Sequence, residues 1–329
     1  MSMQDHPRAA THPQSDSRRT GYWRLTAALA LTAFAALPAQ AALHVLACEP
    51  EWGALAQELG GPLVDVAVAT TALQDPHQNQ AKPSLIARAR NADLVVCTGA
   101  ELEIGWVPIL LQQSGNARVQ PGQPGNFAAA DFVRKLEVPT VLDRAQGDVH
   151  AAGNPHIQTD PRVFAQVAPA LAARLAQIDP AHAADYAKRQ ADFSQRWGQA
   201  TTRWTAQAAP LKGMAVVSQH KAFIYIYDWL GMKEVAVLEP KPGVEPSAGH
   251  LQSVLAALKA TPARMVVHAA YQDGRPSDWL GKNAGVAVVT LPFTVGGSDA
   301  AKDLFSLFDD TLARLLAAAG SLPTALSKP

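Results

Sequence analysis

The sequence predicts an α/β protein of two lobes, each a mostly parallel sheet flanked by helices, the two joined by one long rigid helix. Two observations predict it. Short apolar runs alternate with helical patterns along both halves of the chain, the signature of parallel strands with helices on both faces. Between the halves, Asp179-Pro180 opens a helical pattern that runs to about Ala208.

The first 41 residues read as a secretory signal. Arg18, Arg19 and Arg24 precede the uncharged apolar run Leu25 to Leu37, and Ala39-Gln40-Ala41 is a small-x-small cleavage site. That run is too short to span a membrane. The product is expected in the periplasm, cleaved near Ala41. Four of the 28 Lys+Arg and two of the 28 Asp+Glu fall in the leader, so the remainder is near neutral, about −2. A nucleic-acid partner would call for a basic face, which this balance excludes.

In the N-terminal lobe, 42–178, the expected strands are Leu43–Cys48, Val64–Ala69, Leu94–Cys97 and Val138–Leu142. Helices fall between them, at Pro50–Leu59 before Gly60-Gly61, at Leu85–Arg90 after Pro83-Ser84, and at Trp106–Gln113. Asp160-Pro161, an N-cap followed by proline, starts a helix to Ile178. The linking helix occupies 179–208, on the order of 43 Å at 1.5 Å per residue. Tyr186, Phe193, Trp197 and Trp204 recur along it at spacings of 7, 4 and 7, which sets one aromatic face toward a core.

The C-terminal lobe, 209–329, repeats the alternation. Strands are expected at Met214–Val217, Glu234–Leu238, Arg264–His268 and Val286–Leu291. Helices are expected at Ala222–Leu230, at Ala248–Ala260 capped by Ser247, at Ser277–Asn283 and at Ala300–Ala319. Cys48 and Cys97 each close a strand. In an exported chain they read either as a disulfide or as two buried thiols.

Four polar loops carry the chemistry. They are Asp75-Pro76-His77, Asn154-Pro155-His156, Ser218-Gln219-His220 and Gly296-Gly297-Ser298-Asp299. In open α/β sheets, ligands bind at the C-terminal ends of strands, where these loops lie. Three imidazoles and a carboxylate make a four-coordinate set suited to Zn²⁺, with His77, His156, His220 and Asp299 as its ligands. Asp303, Asp273 and Glu245 are rival carboxylates, and Glu245 or backbone carbonyls are candidates to orient the imidazoles. Imidazoles bind metal only when neutral, so affinity should fall as pH drops through about 6.5.

With these motifs in order, the chain resembles the zinc and manganese solute-binding proteins of bacterial ABC importers, the cluster A-I group. The likeness rests on Asp75-Pro76-His77 with Lys82-Pro83-Ser84, on Asn154-Pro155-His156 with Asp160-Pro161, on His220-Lys221-Ala222-Phe223-Ile224-Tyr225, and on Gly243-Val244-Glu245-Pro246-Ser247. The resemblance implies a metal held between two lobes, His77, His156, His220 and Asp299 at the metal positions, and delivery to a membrane permease by a monomeric receptor. Manganese binders of the group tend to carry a carboxylate where this chain has His220, so zinc is favoured over manganese.

The chain departs from the group in three places. Ile157-Gln158-Thr159 stands where a bulky aromatic is usual, and His268 where an acid is common. The loop after His77 is short, which leaves auxiliary capture to His150 or to a separate periplasmic zinc chaperone. A zinc hydrolase built on the three histidines is the reading of another class, but no His-Glu-x-x-His run or adjacent general base supports it.

Overall fold

Residues 42–140, 147 and 150–320 are described by a computed structural model of the chain. The leader with its cleavage point lies outside the described residues. Among the described residues, no helix is long and apolar enough to cross a membrane.

The first sheet holds β1 (Leu43–Ala47), β2 (Val64–Val68), β3 (Leu94–Cys97) and β4 (Asn126–Ala128). Its order is β2-β1-β3-β4, with every pair parallel. The helices α1 (Pro50–Gly60), α2 (Pro83–Asn91) and α3 (Val107–Ser114) connect its strands. Then come α4 (Pro161–Ile178) and α5 (Ala183–Gln207). The second sheet holds β5 (Ala215–Ser218), β6 (Lys233–Val237), β7 (Met265–Ala269) and β8 (Ala287–Leu291), ordered β6-β5-β7-β8 and again all parallel. Its helices are α6 (Ile224–Leu230), α7 (Ala248–Ala257), α8 (Arg275–Ala284) and α9 (Leu304–Gly320).

The inner strands β1, β3, β5 and β7 are largely buried on both faces, so side chains of alternating residues enter different cores. Val45 and Ala47 join a central core, while Leu46 and Cys48 join an outer one beneath α2 and α3. Val216 joins the same central core from the second sheet, and Val217 an outer one with α7 and α8. The central core is therefore continuous through both lobes. The aromatic face of α5 fills it as expected: Tyr186, Phe193, Trp197 and Trp204 are all buried. Trp197 lies 5.6 Å from Phe308 of α9 and 5.3 Å from Phe164 of α4. Its indole N–H donates to the Pro161 carbonyl, and that of Trp204 to Asp309.

Two expectations need correction. The fourth strand is Asn126–Ala128, not Val138–Leu142: Val138 is exposed and unpaired in any sheet, and residues 141 and 142 lie outside the described residues. β4 is three residues of edge strand behind the turn Pro121-Gly122-Gln123-Pro124-Gly125, too short to leave an apolar pattern. The linking helix is also shorter than read. Pro180–His182 form a 3₁₀ turn before α5, whose 25 residues span about 37 Å. The Cys48 and Cys97 alternatives resolve to a disulfide, which joins the C-terminal ends of the neighbouring strands β1 and β3 across a Cα–Cα distance of 4.8 Å.

Candidate metal centre

Each sheet reverses its winding beside its first strand, β1 or β5, and the loops leaving the C-terminal edges there build the site. At the first sheet this crevice is filled by the disulfide, Trp52 and Thr98, all buried apart from slight exposure at Cys97. His77 arrives instead from the loop after β2, on a 3₁₀ turn of Pro76–Gln78. Trp106 holds that turn by donating its indole N–H to the Pro76 carbonyl at 2.9 Å. His156 precedes the 3₁₀ turn Ile157–Thr159 that leads into α4, and His220 stands two residues beyond β5.

The structure brings His77, His156 and His220 together. One nitrogen from each lies within 4.8 Å of the others. Ring centroids are 5.4 Å apart for His77 and His156, 6.0 Å for His77 and His220, and 5.1 Å for His156 and His220. His156 is 1% exposed. The side chains of His77 and His220 are 15% and 11% exposed.

The second ring nitrogens explain the motif chemistry. Asp75 Oδ1 accepts from the His77 backbone N–H at 3.0 Å and stands 2.8 Å from His77 Nδ1. Asn154 Oδ1 does the same for His156, at 3.0 and 2.9 Å. The Asn154 amide is fixed in this sense because its Nδ2 donates to the Lys221 carbonyl. An amide oxygen only accepts, so His156 carries its proton on Nδ1 and turns the Nε2 lone pair inward. Glu239 Oε2 holds His220 Nδ1 at 2.7 Å and also accepts from the Gly243 N–H. His77, His156 and His220 each have Nε2 buried with no hydrogen-bond partner. Three unpartnered lone pairs facing one point fit a divalent cation, with an oxygen acceptor behind every ring.

The electrostatics agree. Burial, then the neighbouring imidazoles, pushes His156 well below the usual histidine range, which keeps it neutral and ready to ligate. Burial, the largest single influence, would raise the Asp75 carboxyl, but the side-chain and backbone bonds and the charge of His77, with that of His220, together hold the acid below its ordinary value.

Asp299, the fourth residue of the expected set, lies apart from the three histidines. It is exposed and outside the histidine group. It belongs to the turn closed by the Gly296 N–H bond to the Ala301 carbonyl, and its neighbour Ser298 donates through Oγ to Asp310 of α9. Where the chain after β8 does approach the site, it presents Phe293, its ring edge-on to His156 at 5.6 Å. The rivals fare no better: Asp303 caps the start of α9 through the Ser306 N–H, Asp273 pairs with Arg275, and Glu245 is exposed. His268 is buried between the Ala269 carbonyl and Thr290 and stays outside the group. Asp75, Asn154 and Glu239, rather than Glu245, orient the rings. For the first two, the Asx-Pro-His spacing was the available signal, since an Asx side chain bonds the backbone two residues on.

The histidines separate two clefts. One, of about 490 Å³, is lined by His150, His156, His220 and Lys221 among others. The other, of about 230 Å³, is acidic, with Asp75, Glu239, Glu245 and Asp273 on its walls.

Twin parallel α/β lobes sharing one core, with a buried triad of histidines where their loops meet, define a metal-binding protein of the periplasmic receptor type. The chain belongs to the family described as "Zinc-uptake complex component A periplasmic", whose model matches residues 45–318. It is 25% identical over 243 residues to the zinc-binding lipoprotein AdcA of Streptococcus pneumoniae serotype 4, covering 71% of this chain and 46% of that protein. The chain thus spans about half the length of that relative. It is 21% identical over 249 residues to the high-affinity zinc uptake system protein ZnuA of Bacillus subtilis, covering 73% of this chain and 74% of the relative. A crystal structure of ZnuA shares the fold at a TM-score of 0.70 and 22% identity, over 84% of this chain and 99% of that one.

Proposed function

We propose that this chain is the exported zinc receptor of an ABC importer. It captures Zn²⁺ in the periplasm on His77, His156 and His220 and hands it to a permease in the inner membrane. The observation that carries this reading is the set of three buried, unpartnered Nε2 atoms, each ring fixed from behind by an oxygen. An all-imidazole set suits zinc better than manganese, which prefers carboxylate and water. The names of the relatives support the same metal. The receptor acts as a monomer of two lobes, 42–178 and 209–329, on the connecting segment 179–208, after removal of a leader ending near Ala41.

Zinc is cargo here, not a catalyst. The acids nearest the rings, Asp75 and Glu239, are engaged on Nδ1 atoms, which leaves neither free to act as a general base on a metal-bound water. The test is direct titration of the chelator-stripped mature chain with Zn²⁺ and Mn²⁺, beside His220→Ala. The reading predicts tight zinc, weak manganese and a large loss in the variant.

A further inference from the structure

Tetrahedral zinc needs a fourth donor beyond the triad, and among the described residues no carboxylate completes the group. Asp75 and Glu239 are committed to ring nitrogens, and Asp299 is exposed and outside the histidine group. Phe293 fills the approach from β8 with a ring edge that offers no lone pair.

From these observations we infer that His150 is the fourth ligand to the cargo metal, an inference that rests on the receptor reading above. The His150 ring lies 5.3 Å from that of His77, within the 5.1 to 6.0 Å separating the triad rings from one another. It lines the larger cleft together with His156 and His220. Its nitrogens stand outside the 4.8 Å group, so ligation draws the ring inward by a further side-chain movement.

The backbone around His150 is built to hold it at that distance. The Gly153 N–H donates to the His150 carbonyl, and the Asn154 N–H to the Leu136 carbonyl, closing the base of the loop. The Ala151 N–H donates to Glu101 Oε2 at 2.5 Å. Glu101 sits in left-handed backbone, φ 68°, directly after Ala100 at φ 50°. Two successive non-glycine residues in that region carry backbone strain that the surrounding contacts must hold. The strained turn after β3 thus holds the backbone at Ala151, next to His150, across 50 residues of sequence. Asn154 links the same loop to the site, because its side chain orients His156 while its amide bonds Lys221, the neighbour of His220. A shell of four neutral imidazoles would leave no oxygen ligand for manganese or calcium, which sharpens the preference for zinc.

X-ray absorption at the zinc edge, with competitive zinc titration, tests this on the mature chain and His150→Ala. The expected result is four imidazole scatterers at about 2.0–2.1 Å in the wild type and three in the variant. Zinc affinity should fall roughly tenfold or more, as for lost groups around a metal site. Equal imidazole counts and equal affinity in the two proteins would overturn the assignment while leaving the receptor reading intact. A wild type that holds no zinc would overturn both.

Discussion

At the scale of single residues, the site is built from one device used twice. Asp75 and Asn154 each stand two positions before a histidine across a proline, and each side-chain oxygen takes both the backbone N–H and Nδ1 of that histidine. The proline fixes φ, so backbone and ring are set by one short turn. Glu239 does for His220 what no local residue can, from 19 positions away. Asp75→Ala should therefore fold normally and lose roughly 10–100-fold in zinc affinity, as outer partners of metal ligands do. Asp75→Asn keeps an acceptor and should lose less. Competitive titration with a chromophoric chelator measures both, and equal affinities for all three proteins would show that Asp75 does not orient His77.

At the scale of elements, α1 and the loop after β8 are joined by a buried acid. Glu51 Oε2 accepts from Thr294 Oγ1 at 2.5 Å, across 243 residues of sequence. Burial, partly offset by that bond, raises Glu51 to about 7 from an ordinary 4.5. A carboxyl raised by folding contributes stability that is whole below the unfolded value and is lost as pH rises through the folded one. The loss from Glu51 thus falls between about pH 4.5 and 7 and amounts to about 3 kcal/mol at most. Glu51→Gln lacks this titration, so its stability relative to wild type should rise across that window. Urea denaturation at pH 5 and pH 8 reads it, and a difference independent of pH would contradict the account. Beside it, Glu49 and Glu103 are raised chiefly by burial and share Thr98 as a hydrogen-bonding neighbour next to the disulfide. Most elements were legible in the sequence because their signals are local. Asp160 caps α4 and Ser247 caps α7 as read, through the N–H groups of Arg162 and His250. The strand β4 was not legible, because pairing to β3 makes it a strand rather than any pattern of its own.

At the scale of the whole molecule, the central core runs from β1 and α1 through α4 and α5 to α9 and β7 without a break. Hinge motion would open contacts such as Trp197 to Phe308, and exposing a buried aromatic side chain to water costs about 1.5–3 kcal/mol. Loops at the site are the cheaper moving parts. Apo and zinc-bound structures should superpose through both sheets and α5, with differences confined to the loops bearing His77, His150 and His220; a rigid rotation of one lobe would contradict this. His77 and His220 could be singled out because each lies in a polar segment after a strand; His156 rested on its Asn154-Pro155-His156 motif, since the fourth strand lies at Asn126–Ala128 and not just before it. The fourth position, which we assign to His150, had no such signal, since Asp299 and His150 are both loop residues and their distance from the triad depends on packing. The central claim is that three convergent imidazoles hold zinc. Zinc titration of the stripped mature chain beside His220→Ala tests it most directly. One tight zinc per chain, lost in the variant, is the result expected; no tight zinc in wild type, or undiminished affinity without His220, would contradict it.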